Sequence, residues 1–196
     1  MEVERTLFRK YVVHSLNDLK SRCNYLFSHC LNVSNITVSI GKRLDNGQVE
    51  LNALELAGIL HDIGKTRICS EILNKTGELT SDEWQTIKRH PEIGYVMLVN
   101  IEGMSKIAEG ILFHHEQYDG SGYPLGLKGG QIPLFSRIIA VADAYDAMTA
   151  NRPYRKKMTS KAAIEELIRC SGRQFDPEIV KVFLQAYNNH EIMYTM

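Results

Sequence analysis

Histidine and aspartate residues that could bind metal recur along this chain in five separate places. They are His29, the pair His61–Asp62, His90, the pair His114–His115, and Asp143. Imidazole nitrogens and carboxylate oxygens suit first-row transition metals, and such a ligand set needs no cysteine. A carboxylate such as Asp62 can bridge two cations, which together can hold the attacking and the leaving oxygen of a phosphodiester. The residue types therefore indicate a metal site that hydrolyses phosphodiesters.

Each of these residues, taken alone, also has an ordinary structural explanation. A single histidine on an apolar helix face is more often a hydrogen-bonded core residue than a ligand. The pairs His61–Asp62 and His114–His115 argue against this explanation, because adjacent polar side chains are costly to bury unless something binds them. Considered jointly, the five places favour one metal site.

The first long helix, predicted from about residue 21 onward, carries one of these residues on its apolar side. Apolar residues recur there at helical spacing, at Leu26, Val33, Ile36 and Ile40. His29 falls on the same face of the helix. We therefore expect His29 to point inward.

The rest of the chain is also predicted to be helical, because strand-like alternation is scarce. The predicted helices cover about 48–60, 80–90, 105–115, 134–151, 160–170 and 177–188, and Pro91 is predicted to mark a break or a new first turn just after His90. Glycines over residues 119–130 predict a loop. The fold class is therefore predicted to be all-α, with a single compact domain of about seven helices over residues 21–196. Residues 1–20 are predicted to form a helical leader segment.

The composition is that of an ordinary soluble globular protein. Of the 196 residues, 44% are hydrophobic, and 23 basic residues balance 23 acidic ones. Zero net charge gives the chain no field that attracts long nucleic acid, so polymer DNA or RNA is not an expected partner. No apolar run approaches the length of a membrane span and no secretory signal is evident, so we predict a cytoplasmic protein. The scattered cysteines are expected to be reduced thiols in the core.

An ordered series of motifs resembles a known family, the HD-GYP phosphodiesterases of the HD superfamily. The matching stretches are His61-Asp62-Ile63-Gly64-Lys65, Ile72-Leu73-Asn74-Lys75, Leu79-Thr80, His90-Pro91-Glu92-Ile93-Gly94, His114-His115-Glu116, Asp119-Gly120-Ser121-Gly122-Tyr123-Pro124, Ile132-Pro133, Arg137-Ile138, Asp143, Asp146-Ala147, Arg152-Pro153-Tyr154-Arg155 and Phe175-Asp176-Pro177. The resemblance implies a helical HD domain that hydrolyses a cyclic dinucleotide, with cyclic di-GMP the leading substrate and linear pGpG the product.

The resemblance also implies which residues bind metal. The implied ligands are His29, His61, Asp62, His90, His114, His115 and Asp143. Family members that hold three metals have a glutamate one helical turn before the first histidine, where this chain has Tyr25. A phenol is a poor ligand for such ions at neutral pH. We therefore expect two divalent transition-metal ions, iron or manganese, with Asp62 as the bridge.

Two further residues are implied to assist catalysis. A lysine like Lys65 faces the scissile phosphate in the family, where its ammonium stabilises charge that develops in the transition state. Asp146 is expected to orient Lys65 or a bound water. Lys65 could alternatively be a solvated lysine at a helix end.

The resemblance assigns substrate contacts to the glycine-rich loop and to a later basic segment. Gly122 permits close backbone approach, and Tyr123 offers a flat face to a guanine, although it could instead merely pack the loop. Arg152 and Arg155 match cationic phosphate binders, although such a charged run is often a solvated face.

Two other functions stay open from the sequence. The domain could bind a cyclic dinucleotide or dock a synthase domain through the Gly122–Tyr123–Pro124 loop without turnover. It could also be another HD-type nucleotide hydrolase. The intact ligand set and the complete loop favour the enzyme. Many family members carry a sensor or receiver domain, so we expect regulation here by a separate partner, such as a synthase or sensor protein, or by substrate supply.

Overall fold

The computed structural model describes residues 12–21, 24–44, 51–150 and 157–192. These residues contain helices and no β-strand, which confirms the all-α fold class. The helices are α1 (residues 12–21), α2 (Asn24–Arg43), α3 (Leu51–Leu60), α4 (Ser70–Leu73), α5 (Ser81–Lys88), α6 (His90–Leu98), α7 (Ser105–Leu112), α8 (Leu134–Thr149), α9 (Ser160–Arg169) and α10 (Pro177–Asn188). Short 3₁₀ segments cover Ile63–Arg67 and Gly129–Gln131.

Helix α2 runs against α3 and α8 at the centre of the described fold. Its predicted apolar stripe is confirmed, because Val33, Ile36 and Ile40 are completely buried. Burying each such side chain stabilises the fold by roughly 1.5–3 kcal/mol. The helices approach closely at Gly58 of α3, where an added Cβ would lie 2.7 Å from the Cα of Ser34. This close packing fixes His29 on α2 relative to the end of α3.

Candidate ligands directly follow the ends of two helices. Helix α3 ends at Leu60, as predicted, whereas α7 ends at Leu112 although it was predicted to reach His115. His61 and His114 each place Nδ1 against the carbonyl oxygen three residues earlier, at 2.8 and 2.6 Å. A ring nitrogen that donates to such a carbonyl satisfies a group that the ending helix leaves open. The histidines therefore cap these helix ends.

A break between α5 and α6 is present, but it lies at Arg89, before His90, and not just after His90 at Pro91 as predicted. Thr80 caps α5 in a reciprocal arrangement with Glu83, whose side chain accepts a hydrogen bond from the Thr80 backbone. Pro91 lies in the first turn of α6, where its missing N–H costs nothing. The break places buried His90 at the start of α6.

The described part of the predicted leader, residues 12–20, is helical and packs on the start of α2. Leu19 and Leu26 are buried together, with Leu16 and Tyr25 beside them. The prediction that the domain itself starts at residue 21 stays a prediction. No helix in the described ranges is both long and apolar enough to span a membrane.

The described cysteines are free thiols, but they do not all lie in the core. Cys30 and Cys170 are buried as predicted. Cys69 is exposed instead, because it precedes the short helix α4 at the surface.

Candidate metal centre

The structure brings all seven predicted ligand residues together in one buried region. Two groups of three have ligand atoms that lie within 4.8 Å of one another. We name them the carboxylate cluster (His29, His61 and Asp143) and the imidazole cluster (His90, His114 and His115). Their side chains come from α2, from the residues after α3 and α7, from the start of α6 and from the middle of α8. Helix ends and inward helix faces thus converge on one centre.

Asp62 lies between the two clusters and is 1% exposed. Its Oδ1 atom lies 3.2 Å from Nε2 of His90, in the imidazole cluster. Its Oδ2 atom lies 3.4 Å from Nε2 of His61 and 3.9 Å from Nε2 of His29, in the carboxylate cluster. One carboxylate oxygen therefore faces each cluster, which is the geometry that a bridging ligand needs.

Three imidazoles are oriented with one nitrogen on the backbone and the other toward the centre. In His61, His90 and His114, Nδ1 lies 2.8, 2.7 and 2.6 Å from a carbonyl oxygen. A carbonyl only accepts, so each Nδ1 carries the proton and each Nε2 keeps a lone pair. Among the described residues, Nε2 of His61 is buried without a hydrogen-bond partner. Such unsatisfied atoms are rare, and a cation held by Nε2 would satisfy this one.

His29 is oriented by a carboxylate rather than by the backbone. Its Nδ1 atom lies 2.6 Å from Oδ2 of buried Asp146, and its Nε2 atom lies 3.1 Å from Oδ1 of Asp143. Carboxylates that hold a ligand histidine in this way are a common feature of metal sites. We expected Asp146 to orient Lys65 or a water, but its hydrogen bond goes to His29, because α8 places it against α2.

Lys65 reaches the same centre from the 3₁₀ segment Ile63–Arg67. Its Nζ atom donates a hydrogen bond to Oδ2 of Asp62 over 2.7 Å, and its side chain is partly exposed. Gly64 allows the segment to lie against α6, since an added Cβ would be 2.0 Å from the carbonyl oxygen of His90. The lysine ammonium thus lies beside the proposed bridge, on a segment that would have to move away from α6 if Gly64 gained a side chain.

The glycine-rich loop packs directly on the imidazole cluster. The Tyr123 ring stacks on His115 with ring centres 5.0 Å apart, and the Tyr123 backbone N–H donates to the His115 carbonyl oxygen. At Gly122 an added Cβ would lie 2.2 Å from the backbone nitrogen of Gln117, so a side chain cannot fit. The tight approach predicted for Gly122 is therefore an approach to the backbone of Glu116 and Gln117, just before the loop. Tyr123 has a packing role, and its contact with a guanine stays a prediction.

Glu116 holds this loop, a role that the sequence did not reveal. Its side chain is 3% exposed. Oε1 accepts hydrogen bonds from the backbone N–H groups of Leu125 and Gly126, at 2.7 and 3.0 Å, and Oε2 accepts one from Leu127 at 3.1 Å. The signal available in the sequence was an acidic residue placed directly after two candidate ligands. A buried carboxylate with three backbone donors is well satisfied, so Glu116 ties the loop to the ligand segment.

A comparison with protein families shows to which family this chain belongs. The profile of the HD domain matches residues 12–179, which is most of the chain. The chain belongs to the HD-domain family. The family resemblance drawn from the motifs is thereby confirmed.

Curated relatives and a solved structure resemble this HD domain over most of its length. A cyclic di-GMP phosphodiesterase of Pseudomonas aeruginosa is 38% identical over 173 residues, 88% of this chain and 42% of the relative. A cyclic di-GMP phosphodiesterase response regulator of Xanthomonas campestris pv. campestris is 43% identical over 157 residues, 79% of this chain and 41% of the relative. A crystal structure of a cyclic GMP-AMP specific phosphodiesterase of Vibrio cholerae has a TM-score of 0.65 at 25% identity, covering 82% of this chain and 44% of that one. This chain therefore spans about two fifths of the relatives it matches.

The two clusters of the HD domain differ in their electrostatics. Burial lowers the pKa of His29, but hydrogen bonds with Asp143 and Asp146 outweigh it and raise that pKa to about 9. Burial and, after it, the neighbouring His90 together lower the pKa of His115 to about 3. Burial also works against the charge of Asp62, yet Lys65 and His61 hold its pKa well below the ordinary value. The HD domain thus surrounds an ionised carboxylate with imidazoles.

The two arginines predicted to bind phosphate in this HD domain, Arg152 and Arg155, lie outside the described residues.

Proposed function

We propose that this HD domain is a metal-dependent phosphodiesterase that hydrolyses a cyclic dinucleotide. The observation that carries the proposal is Asp62, whose two oxygens face two clusters of inward-pointing ligand atoms. Two cations so placed suit a phosphodiester, because they can clamp both oxygens of an in-line displacement. The curated relatives named as cyclic di-GMP phosphodiesterases make cyclic di-GMP the leading substrate and linear pGpG the expected product.

The donor set fits two divalent transition-metal ions, and we propose iron or manganese. The carboxylate cluster would hold one ion and the imidazole cluster the other, with Asp62 shared between them. When bound, the ions supply an activated water and polarise the phosphate oxygens. Asp146 acts through His29, because its hydrogen bond fixes which nitrogen of His29 faces the centre.

The other side chains of the centre position the substrate. The Lys65 ammonium neutralises charge that develops on the phosphate oxygens, and its hydrogen bond to Asp62 keeps it in place. Tyr123 and the close turn at Gly122 form one wall of the centre. Arg152 and Arg155 complete the proposal as phosphate contacts for the half of the substrate that is not hydrolysed. Regulation by a separate synthase or sensor protein also belongs to the proposal.

The decisive experiment combines metal analysis with product analysis. Protein purified without oxygen should carry about two transition-metal ions per chain. It should then convert cyclic di-GMP to pGpG. Cyclic GMP-AMP and cyclic di-AMP are tested in parallel for comparison. Hydrolysis of cyclic GMP-AMP alone would correct the substrate, and a folded, metal-loaded protein that binds but hydrolyses none of the three would establish the binding module instead.

Tyr25 bears on how far the reaction proceeds. It precedes His29 by one turn of α2, where a third metal would need a carboxylate. We expect pGpG to accumulate, because the opened product loses its ring constraint and near-attack geometry is worth orders of magnitude in rate. A chromatographic time course checks this, and prompt conversion to mononucleotide would contradict it. The variant Tyr25→Glu should raise the metal content or the rate of the second step.

A further inference from the structure

Helix α5 carries an unusual pair of side chains beside the metal centre. The helix has no buried residue, and even the large side chain of Trp84 has 48% of its surface exposed. Lys88 follows four residues later and therefore lies on the same helix face. An exposed tryptophan is a large apolar surface left to solvent, and next to the candidate active site it offers a stacking surface to a ligand of that site.

Lys88 connects this tryptophan to the glycine-rich loop. Its Nζ atom lies 6.0 Å from the centre of the Trp84 ring and 5.3 Å from the centre of the Tyr123 ring. Tyr123 in turn stacks on His115 of the imidazole cluster. A continuous series of flat rings and one ammonium group thus leads from the metal centre to the surface of α5.

Both ends of α5 are fixed, so this surface has a defined position. At its start, Glu83 joins the Thr80 cap and accepts a hydrogen bond from Nζ of Lys75 over 2.6 Å. At its end, the carbonyl oxygen of Ile87 accepts the hydrogen bond from Nδ1 of His90. The second contact ties the last turn of α5 to an implied metal ligand. A molecule bound on Trp84 and Lys88 is therefore held at a fixed distance from the centre.

We propose that Trp84 and Lys88 bind a purine base of the cyclic dinucleotide, in the half that is not being hydrolysed. This inference rests on the proposed function. An indole ring stacks on any base, whereas an ammonium donates hydrogen bonds to O6 and N7 of guanine. Adenine has an amino group in place of O6 and offers Lys88 only N7 on that edge. The pair therefore selects guanine over adenine at this position.

Trp84 is the only tryptophan of the chain, so its fluorescence reports on this surface alone. The probes are the hydrolysis-resistant phosphorothioate analogues of cyclic di-GMP and cyclic di-AMP, added to metal-loaded protein. The guanine analogue should change the fluorescence saturably and at lower concentration than the adenine analogue. Binding of the guanine analogue, shown by calorimetry, with no change in Trp84 fluorescence would overturn the proposal.

Substitutions test the contribution of the ammonium. Lys88→Met should raise the Kd of the guanine analogue about tenfold and that of the adenine analogue less, with metal content unchanged. Lys88→Arg should restore most of the affinity, because guanidinium also donates to O6 and N7. The matched control is Lys106→Met, since Nζ of Lys106 lies 4.9 Å from the centre of the Phe135 ring on α8. Equal losses in Lys88→Met and Lys106→Met, or an equal loss for both analogues, would overturn the selectivity for guanine.

The same measurements separate this inference from the proposed function. Saturable quenching by the guanine analogue without hydrolysis of any cyclic dinucleotide would support the binding surface and refute the enzyme. Hydrolysis of cyclic di-GMP with an unchanged KM in both Lys88→Met and Trp84→Ala would support the enzyme and refute the binding surface.

Discussion

The carboxylate cluster and the imidazole cluster share Asp62 but differ in how much negative charge their other residues carry. The carboxylate cluster includes Asp143, and a second carboxylate, Asp146, backs its histidine. The imidazole cluster consists of three histidines, and the negatively charged ligand atom beside it is the shared Oδ1 of Asp62. A cation is stabilised by negative charge close to it. A cation in the imidazole cluster therefore depends on Asp62 more than one in the carboxylate cluster does.

Histidines in the two clusters show the same difference. His29 and His115 are both removed from water, and this lowers the pKa of each. At His29 the adjacent carboxylates reverse the effect and bring the pKa to about 9, whereas at His115 the neighbouring imidazole adds to it and the pKa is about 3. Burial acts in the same direction on both rings, so the higher pKa of His29 comes from its neighbouring carboxylates.

Removing Asp62 should have the largest effect, because both clusters lose their common oxygen ligand. Asp62→Ala should lower turnover of the cyclic dinucleotide by about 10³-fold or more. The helical circular dichroism should remain, since no apolar core side chain is removed. Elemental analysis should show that metal is lost. Any metal ion that stays bound should be held by the carboxylate cluster. Unchanged turnover would remove Asp62 from the mechanism.

Changing one ligand in a single cluster should have a smaller effect on metal content. His115→Ala and Asp143→Ala each leave the opposite cluster and Asp62 intact. Each variant should therefore retain about one ion per chain, against about two in the unchanged protein. Elemental analysis of the two variants side by side checks this. Loss of all metal from both variants would show that the clusters bind as one cooperative unit.

Removing Asp146 should weaken the carboxylate cluster without removing a ligand. Asp146→Ala takes away the partner of Nδ1 of His29, and losses of this kind typically cost about 10–100-fold in metal affinity or activity. Asp146→Asn should cost less, because its amide oxygen can still accept the hydrogen bond. Competition with a chelator measures the affinity. If Asp146→Ala binds metal as tightly as the unchanged protein, Asp146 has no role in orienting His29.

Much of the framework could be predicted from local sequence. The stripe on α2, the helix start at Thr80 and the bounds of α10 follow from periodicity and capping, which depend on near neighbours. The end of α3 was placed at Leu60, but the end of α7 could not be placed to the residue. There the His114 side chain caps the helix, and a periodic pattern does not record where that happens.

The contacts that orient the site were harder to predict than its ligands. Asp146 and His29 are 117 positions apart in the chain, so their contact depends on how α8 packs against α2 and not on local sequence. The partners of Glu116 are backbone N–H groups of the loop, whose path depends on the turn at Gly122. Backbone partners leave no residue type in the sequence to recognise. Ligand types are visible in a sequence, but the hydrogen bonds that position them depend on the tertiary fold.

Glu116 therefore offers the finest test of the comparison, because it acts on the loop beside the imidazole cluster and touches neither cluster's ligand atoms. In Glu116→Gln the carboxamide NH2 group replaces one of the two oxygens, so at least one loop N–H faces a donor or loses its acceptor. An unsatisfied buried group costs about 1–3 kcal/mol, and the loop can avoid this cost by moving away from the centre.

We expect Glu116→Gln to raise the KM for the cyclic dinucleotide about tenfold, which corresponds to about 1.4 kcal/mol, in the lower half of that range, and to leave the metal content unchanged. Glu109→Gln is the matched control, since Glu109 is an exposed glutamate on the preceding helix α7. Steady-state kinetics and elemental analysis distinguish the two possible routes. A raised KM with full metal content places the effect in the loop, because a displaced Tyr123 misplaces the substrate and spares the ligands. A loss of metal from the imidazole cluster would contradict this, and would show that Glu116 positions His115 instead.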